Sequence, residues 1–307
     1  MSDSLDLERA ATALARTMNS YGETVLRRRN TSYTQFRILS ILTETPGIPG
    51  KRVAHCLGVS GAAASKQLKI LTRGELVASR TQRGEGRAQR LELTHAGREL
   101  FTALASELHT PLVECCRIAG EDFSELSAIF RALNDIVSTR LSEKVTGRTA
   151  ESPIPAPRTT PNLGHELSAF LAALNHRTEA QLSMHGVTLP QFAILRLVCA
   201  SPGLNGREIA EELDYSTPTV SGHLAHLRAL GLAMDVSREG SGNTQQLEST
   251  AAGRGFTQEV LESTAAWVHE VCSQAGVDEA ALATRLLAVG AAAAEYPLPE
   301  ASAAGSR

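Results

Sequence analysis

The segment Lys51–Thr94 reads KRVAHCLGVSGAAASKQLKILTRGELVASRTQRGEGRAQRLELT. A short helix with one apolar face comes first and ends at Gly58. Ser60 then stands where the N-cap of a second helix belongs, because its hydroxyl can accept hydrogen bonds from the exposed amides of the next turn. Apolar residues continue at helical spacing as far as Leu71. Two short apolar runs follow, separated by a basic, glycine-containing segment, which is the pattern of a β-hairpin with a loose tip. We therefore predict a winged helix-turn-helix.

Cationic residues concentrate on the second helix and on the hairpin. A short helix of this kind can enter the major groove of DNA while hairpin arginines reach phosphates or the minor groove. A helical pair with a hairpin can also serve for packing alone, and helical periodicity does not separate the two readings. The clustered Lys and Arg residues favour double-stranded DNA as the partner. The predicted DNA contacts are Ser60, Ala62, Ala63, Ser65, Lys66, Lys69, Arg80, Arg83, Arg87 and Arg90.

Length and composition limit the class of protein. A chain of 307 residues, 42% of them hydrophobic, suggests two globular domains. The acidic first residues lack the apolar core of a signal peptide, and no apolar run approaches the roughly 18–20 residues of a membrane span. Five unevenly spaced cysteines form neither a disulfide framework nor a metal-binding pattern. These features predict a reduced cytoplasmic protein without a membrane partner.

Long helices with apolar stripes flank the winged segment. We predict a first helix over about 6–29, a second capped by Thr34, and two more over about 94–119 and 121–141. Their apolar surface exceeds what one winged unit can cover, so they need a further helical layer to pack against. Residues 142–161 lack periodicity and contain four prolines, which is typical of an extended linker.

The second half of the chain repeats the first at an offset of 156 residues without gaps. Matched pairs include Pro46 with Pro202, Ser60 with Ser216, Leu68 with Leu224, Gly84 with Gly240, and Thr94 with Thr250. A register kept from residue 35 to residue 98 indicates a tandem duplication. We therefore divide the chain into repeat 1 (1–141), a proline-rich linker (142–161), repeat 2 (162–296) and a tail (297–307).

Repeat 2 keeps the scaffold positions but loses the cationic ones. Lys66 corresponds to Gly222, Lys69 to Ala225, and the four hairpin arginines to uncharged or acidic residues. Residues 1–150 carry 21 Lys and Arg against 16 Asp and Glu, whereas residues 151–307 carry 9 against 17 and no lysine. Because counterion release supplies much of the affinity for duplex DNA, we expect repeat 2 to bind weakly. Its secondary candidate contacts are Ser216, Thr217, Thr219, Ser221, His223 and Arg238.

Two motifs carry a family resemblance. The first is Leu57-Gly58-Val59-Ser60 followed by Ser65-Lys66, and the second is Glu85-x-Arg87 followed by Leu93-Thr94-x-Ala96-Gly97. Each repeat resembles a MarR-type transcriptional regulator in these motifs and in the order of its elements. Lys66 stands where that family usually has arginine, and the wing of repeat 2 departs from the family pattern with Ser241-Gly242-Asn243.

The resemblance has several implications. Such regulators are usually homodimers with interlaced terminal helices and an effector pocket between that helical layer and the winged unit. The resemblance therefore implies a ligand-responsive regulator, of the repressor type, whose two repeats form the dimer-like arrangement within one chain. The predicted fold is mainly α, with tandem winged helix-turn-helix domains and a pseudo-dimeric helical layer.

The sequence also contains residues that could carry other chemistry. A thiol-based redox sensor would use Cys56, Cys115 or Cys116, although cysteines on helices are more often small core residues. The histidines show no metal-ligand spacing, and no catalytic triad, carboxylate pair or phosphate-binding loop is present. We expect no enzyme activity, no metal and no cofactor. The alternative function is a winged module that holds a small molecule or a protein without DNA.

Overall fold

The computed structural model describes residues 2–57, 60–81, 89–144, 162–236 and 246–297. The first repeat contributes helices α1 (Ser2–Arg28), α2 (Tyr33–Glu44), α3 (Gly50–Leu57), α4 (Gly61–Arg73), α5 (His95–Ile118) and α6 (Phe123–Lys144) and strands β1 (Ile48–Pro49), β2 (Val77–Thr81) and β3 (Gln89–Leu93). The second contributes α7 (Leu163–Ser183), α8 (Leu189–Ala200), α9 (Gly206–Leu213), α10 (Thr217–Ala229), α11 (Ala251–Ala275) and α12 (Glu279–Glu295) and strands β4 (Ala233–Val236) and β5 (Gln246–Ser249). None of these helices combines the length and apolarity needed to cross a membrane.

Each repeat contains a helix-turn-helix followed by an antiparallel hairpin, as predicted. In repeat 1 the strands lie in the order β1-β3-β2, and in repeat 2 β4 pairs with β5. The mainly helical winged fold expected from the sequence is confirmed.

Corresponding elements of the two halves share the offset of 156 residues. Helices α2 and α8, α3 and α9, and α4 and α10 match at both ends under this offset. The turn before each helix-turn-helix has a glycine at positive φ, Gly47 at 80° and Gly203 at 95°. Further along, Gly120 and Gly276, again at positive φ, follow α5 and α11. The offset therefore holds through the helices that flank the winged units.

Some predicted helix boundaries were wrong. Ser32, not Thr34, caps α2, because Gln35 at the third helical position completes a capping box with it. Helix α1 starts at Ser2, earlier than the predicted residue 6, and α6 continues to Lys144, beyond the predicted start of the linker.

The winged units have separate hydrophobic cores. In repeat 1 the core joins α2, α3, α4 and the three strands through residues such as Ile38, Val53 and Leu91. In repeat 2 the equivalent core joins Ile194, Ile209 and Leu247. Each core covers one side of the second helix of its helix-turn-helix, α4 or α10, and leaves the other side of that helix exposed.

The compact units of the molecule do not coincide with the repeats. One unit comprises Met1–Glu8 with Ala169–Ala280, and the other comprises Arg9–Ser168 with Ala281–Arg307. The start of α1 thus belongs with repeat 2, while the start of α7 and most of α12 belong with repeat 1. Each unit therefore contains terminal segments from both halves of the chain.

A tight joint connects each hairpin to the long helix that follows it. The Thr94 hydroxyl accepts from the Gly97 amide (3.0 Å) and donates to the Glu75 carbonyl (2.6 Å). A Cβ on Gly97 would lie 2.0 Å from the Leu76 carbonyl oxygen, so this position requires glycine. Repeat 2 reproduces the joint with Thr250, Gly253 and the Leu232 carbonyl, again at 2.0 Å.

We predict that Gly97→Ala lowers the free energy of unfolding by at least about 2 kcal/mol, because the new methyl group overlaps a backbone oxygen. The matched control is Gly255→Ala on α11, where nothing lies within 4 Å of the added Cβ. That variant should be neutral or more stable, because alanine favours helix over glycine. Urea unfolding of both variants measures the difference, and equal destabilisation would contradict the steric explanation.

Candidate nucleic-acid interface

Helix α4 is fixed in the winged unit by one buried side. It begins at Gly61 because Ser60, in extended conformation, accepts from the Ala63 amide at 3.2 Å. Ala64, Leu68 and Leu71 are buried in the core, and these apolar anchors set the rotation of the helix about its axis.

The predicted DNA contacts on α4 all lie on its exposed side. Helical periodicity requires this once Ala64, Leu68 and Leu71 face the core. The exposed residues are Ser60, Ala62, Ala63, Ser65, Lys66 and Lys69. Small residues in the first turn allow the backbone to approach a partner closely, and the two lysines add charge one turn further along.

The wing adds cations beside this helix. In the antiparallel register Arg80 of β2 is the partner of Arg90 of β3, one pair before the tip-side end of the described strands. Arg90 is exposed, and its Nη1 donates to the Gly47 carbonyl at 3.3 Å, which ties the wing to the turn before α3. Arg83 and Arg87, at the predicted tip, lie outside the described residues.

Two further cations on the helix-turn-helix were not among the predicted contacts. Lys51 is exposed in the first turn of α3, and Arg73 is exposed in the last turn of α4. Both were visible in the sequence, but helical spacing alone did not place them relative to the other exposed residues.

The equivalent surface of repeat 2 lacks these charges. Ser216 caps α10, and Ser216, Thr217, Thr219 and Ser221 are exposed, while His223 is half-buried. Arg228, in the last turn, is neutralised by Asp235 of β4 at 2.5 Å. Arg238 lies outside the described residues. The described part of this surface can donate and accept hydrogen bonds but presents little positive charge.

The paired thiols are poorly suited to redox sensing. Cys115 and Cys116 are fully buried, and burial raises the pKa of both, that of Cys116 to about 12. The thiolate is the reactive species, so these side chains are held in the unreactive form. Cys56 is half-buried on α3. Within the described residues, no three His, Cys, Asp or Glu side chains converge as a metal site.

A groove of about 520 Å³ lies between the second half of α5 and the end of α12. Its lining includes Ile118, Tyr296 and the carboxylates Glu114 and Glu295. Glu114 is paired with Arg117, and the Tyr296 ring contacts Tyr21 edge-on at 6.0 Å between centroids. The groove combines apolar surface with acidic groups.

Comparisons with known proteins agree with this geometry. A sequence model of the MarR family matches residues 185–241, in the winged unit of repeat 2. The HTH-type transcriptional repressor Rv2887 of Mycobacterium tuberculosis is 31% identical over 96 residues, which cover 31% of this chain and 69% of the relative. Two solved structures are also similar. The M. tuberculosis MarR family protein Rv2887 in complex with salicylic acid is 27% identical, with a TM-score of 0.31 over 38% of this chain and 86% of that one. Streptococcus pneumoniae FabT in complex with DNA is 18% identical, with a TM-score of 0.36 over 40% and 86%.

The identity to the repressor extends over more than two thirds of that protein, and the winged fold and its exposed helix are those expected of such regulators. The chain belongs to the MarR family of transcriptional regulators.

Proposed function

We propose that the chain binds an operator in double-stranded DNA chiefly through repeat 1 and acts in the cytoplasm as a repressor. The observation that carries this proposal is the exposed side of α4, which presents Lys66 and Lys69, together with the exposed Arg90 on β3 of the same winged unit. A helix anchored on one side and cationic on the other fits the major groove with its charges near the phosphates. The similarity to a transcriptional repressor supports the same assignment.

We also propose that the two repeats supply the two winged units of a dimer-like regulator within one chain. The shared offset of their elements and the exchange of terminal segments between units support this arrangement. One winged unit would then bind its half-site with cations, and the other would touch DNA mainly through uncharged side chains.

Control by a small-molecule effector is a further part of the proposal. The groove beside α5 offers apolar surface of suitable size, and its carboxylates favour a neutral or cationic compound over an anion. The relative Rv2887 has been solved in complex with salicylic acid.

A winged module without DNA binding remains the competing function, and the uncharged surface of α10 favours it for repeat 2 alone. Retention on heparin separates the two functions, because a DNA-binding repeat 1 should hold the chain on the column in moderate salt despite its net charge of −3.

We predict that Lys66→Ala combined with Lys69→Ala weakens duplex binding by roughly 2 kcal/mol for all sequences and lowers the slope of log K against log salt by about 2. The loss of two phosphate contacts is the physical reason. The matched variant that adds charge is Gly222→Lys with Ala225→Lys. It places two lysines at the equivalent exposed positions of repeat 2 and should strengthen duplex binding. Fluorescence anisotropy at several salt concentrations measures both, and an unchanged salt slope in the alanine variant would refute the assignment.

The favoured operator should be asymmetric. A symmetric regulator has two equivalent recognition helices and a palindromic site, whereas here Lys66 faces one half-site and Gly222 the other. Selection from a random pool should yield one well-specified half and one tolerant half. A palindrome with equal information in both halves would mean that repeat 2 reads DNA as strongly as repeat 1.

A thiol-based redox sensor would need a reactive cysteine in the native protein, whereas we predict that Cys116 is unreactive. With a pKa of about 12, Cys116 should be thiolate in roughly one part in ten thousand at pH 8. Iodoacetamide should therefore leave Cys116 unlabelled in the native protein and label it after denaturation, as mass spectrometry of peptides will show. Rapid native labelling of Cys116, together with loss of DNA binding, would support a thiol sensor instead.

A further inference from the structure

Polar contacts within the compact units join residues of one repeat to residues of the other. In the unit built on Arg9–Ser168 and Ala281–Arg307, Arg285 of α12 meets α6, and Glu166 of α7 meets the middle of α6. In the other unit, Glu8 of α1 meets Arg196 of α8, with Nη1 and Oε1 3.5 Å apart. These contacts accompany the exchange of terminal segments.

The contact of Arg285 is a partly buried fork. Its Nε donates to Glu121 Oε2 at 2.6 Å, while Nη1 and Nη2 donate to the two oxygens of Glu125 at 2.9 and 3.1 Å. The Arg285 side chain is 22% exposed. Glu121 is 18% exposed, whereas the bidentate partner Glu125 is 60% exposed. The bidentate contact therefore mainly defines the geometry, and the partly buried pair of Arg285 with Glu121 loses more of its favourable energy when one partner is replaced.

The contact of Glu166 is more deeply buried. Its side chain is 10% exposed and accepts from Arg131 Nε at 3.1 Å and from Asn134 Nδ2 at 2.8 Å. Asn134 also donates to the Glu166 backbone carbonyl at 2.9 Å. A carboxylate in this position needs its partners, because an unpaired buried charge is strongly unfavourable.

The offset of 156 residues shows what each contact would become between two like repeats. The offset also holds in this region, because the residues after Gly120 and Gly276 make the same backbone hydrogen bond. The Glu121 amide donates to the Cys116 carbonyl, and the Val277 amide donates to the Cys272 carbonyl. Under it, Arg285 corresponds to Ile129, Glu121 to Val277 and Glu125 to Ala281. A pair of first repeats would place Ile129 against two carboxylates, and a pair of second repeats would place Arg285 against apolar residues.

The other contacts are lost in the same way. Arg131 corresponds to Leu287, Asn134 to Gly290 and Glu166 to Ala10, so two second repeats would bury Glu166 against residues that cannot bind it. Glu8 corresponds to Gly164 and Arg196 to Ser40. In a symmetric dimer every contact occurs twice, whereas none of these three can recur between the equivalent residue types.

We propose that these contacts form a pairing surface that selects unlike repeats, so that repeat 1 binds repeat 2 in preference to a second copy of itself. The selection has an attractive part, the charge-assisted hydrogen bonds, and a repulsive part, the unpaired charges of both like pairs. This inference rests on the tandem arrangement in the proposed function, but it concerns which surfaces pair and not whether DNA is bound.

The test uses the full chain with a protease site placed within residues 145–161 and a different affinity tag on each end. Isotopically light and heavy preparations are cleaved, mixed in urea and refolded, and native mass spectrometry counts the pairs. We expect the ratio of unlike to like pairs to exceed the ratio for random assortment by roughly tenfold or more. Like pairs at the random frequency would overturn the proposal.

Charge reversal in the uncleaved chain provides an independent readout. Arg285→Glu should lower the Tm, and adding Glu121→Arg and Glu125→Arg to it should restore most of the loss. The matched control is Arg207→Glu on α9, an arginine 84% exposed whose partner Glu211 is also exposed, and it should leave the Tm nearly unchanged. Failure of the triple variant to recover stability would show that charge matching does not select the partner. Neither readout involves DNA, so its failure is distinguishable from a failure of DNA binding.

Discussion

The apolar stripes of the terminal helices impose the constraint on which the rest of the structure depends. Leu7 on α1 and Leu163 on α7 occupy equivalent positions, and both are fully buried, although each belongs to a compact unit dominated by the other repeat. A winged unit alone has no surface left to cover such stripes, because its own core is already closed by α2, α3 and the strands. Exchange of the helix ends removes this apolar surface from water. Within each unit, terminal segments of both halves are thus packed together.

Each hairpin is connected to the long helix that follows it by a joint that tolerates little variation. At Gly97 and Gly253 the helix backbone lies so close to a carbonyl oxygen that a Cβ would be 2.0 Å from it, so this packing is possible only with glycine. Thr94 and Thr250 complete the joint by satisfying both an orphan amide and a carbonyl from the preceding turn. The wing and the long helix are therefore joined through backbone contacts and a side-chain cap.

Local patterns in the sequence predicted those features that depend on local chemistry. Ser60 and Thr94 were placed at helix N-termini because a hydroxyl before an apolar periodic run has one favourable role there, and the exposed side of α4 followed from its buried side. Ser32 carried a similar signal, the spacing to Gln35, which was missed in favour of Thr34. The cross-repeat pairs could not be predicted in this way. Arg285 and Glu121 are 164 residues apart in the chain, more than the offset between the repeats, and only the packing of α12 beside the start of α6 brings them together.

The asymmetry of the cations and the asymmetry of the pairing surface have a common physical basis. In a homodimer, one substitution changes both recognition helices, so a loss of charge on one half-site is also a loss on the other. A tandem chain separates the two positions, and Lys66 can persist while its equivalent becomes Gly222. That separation is useful only if unlike repeats stay together, because a pair of second repeats would have neither cationic helix. A buried Glu166 that requires Arg131 and Asn134 of the first repeat supplies such a requirement. The difference in cations and the proposed pairing of unlike repeats are therefore both possible in a single chain with two repeats and impossible in a symmetric homodimer.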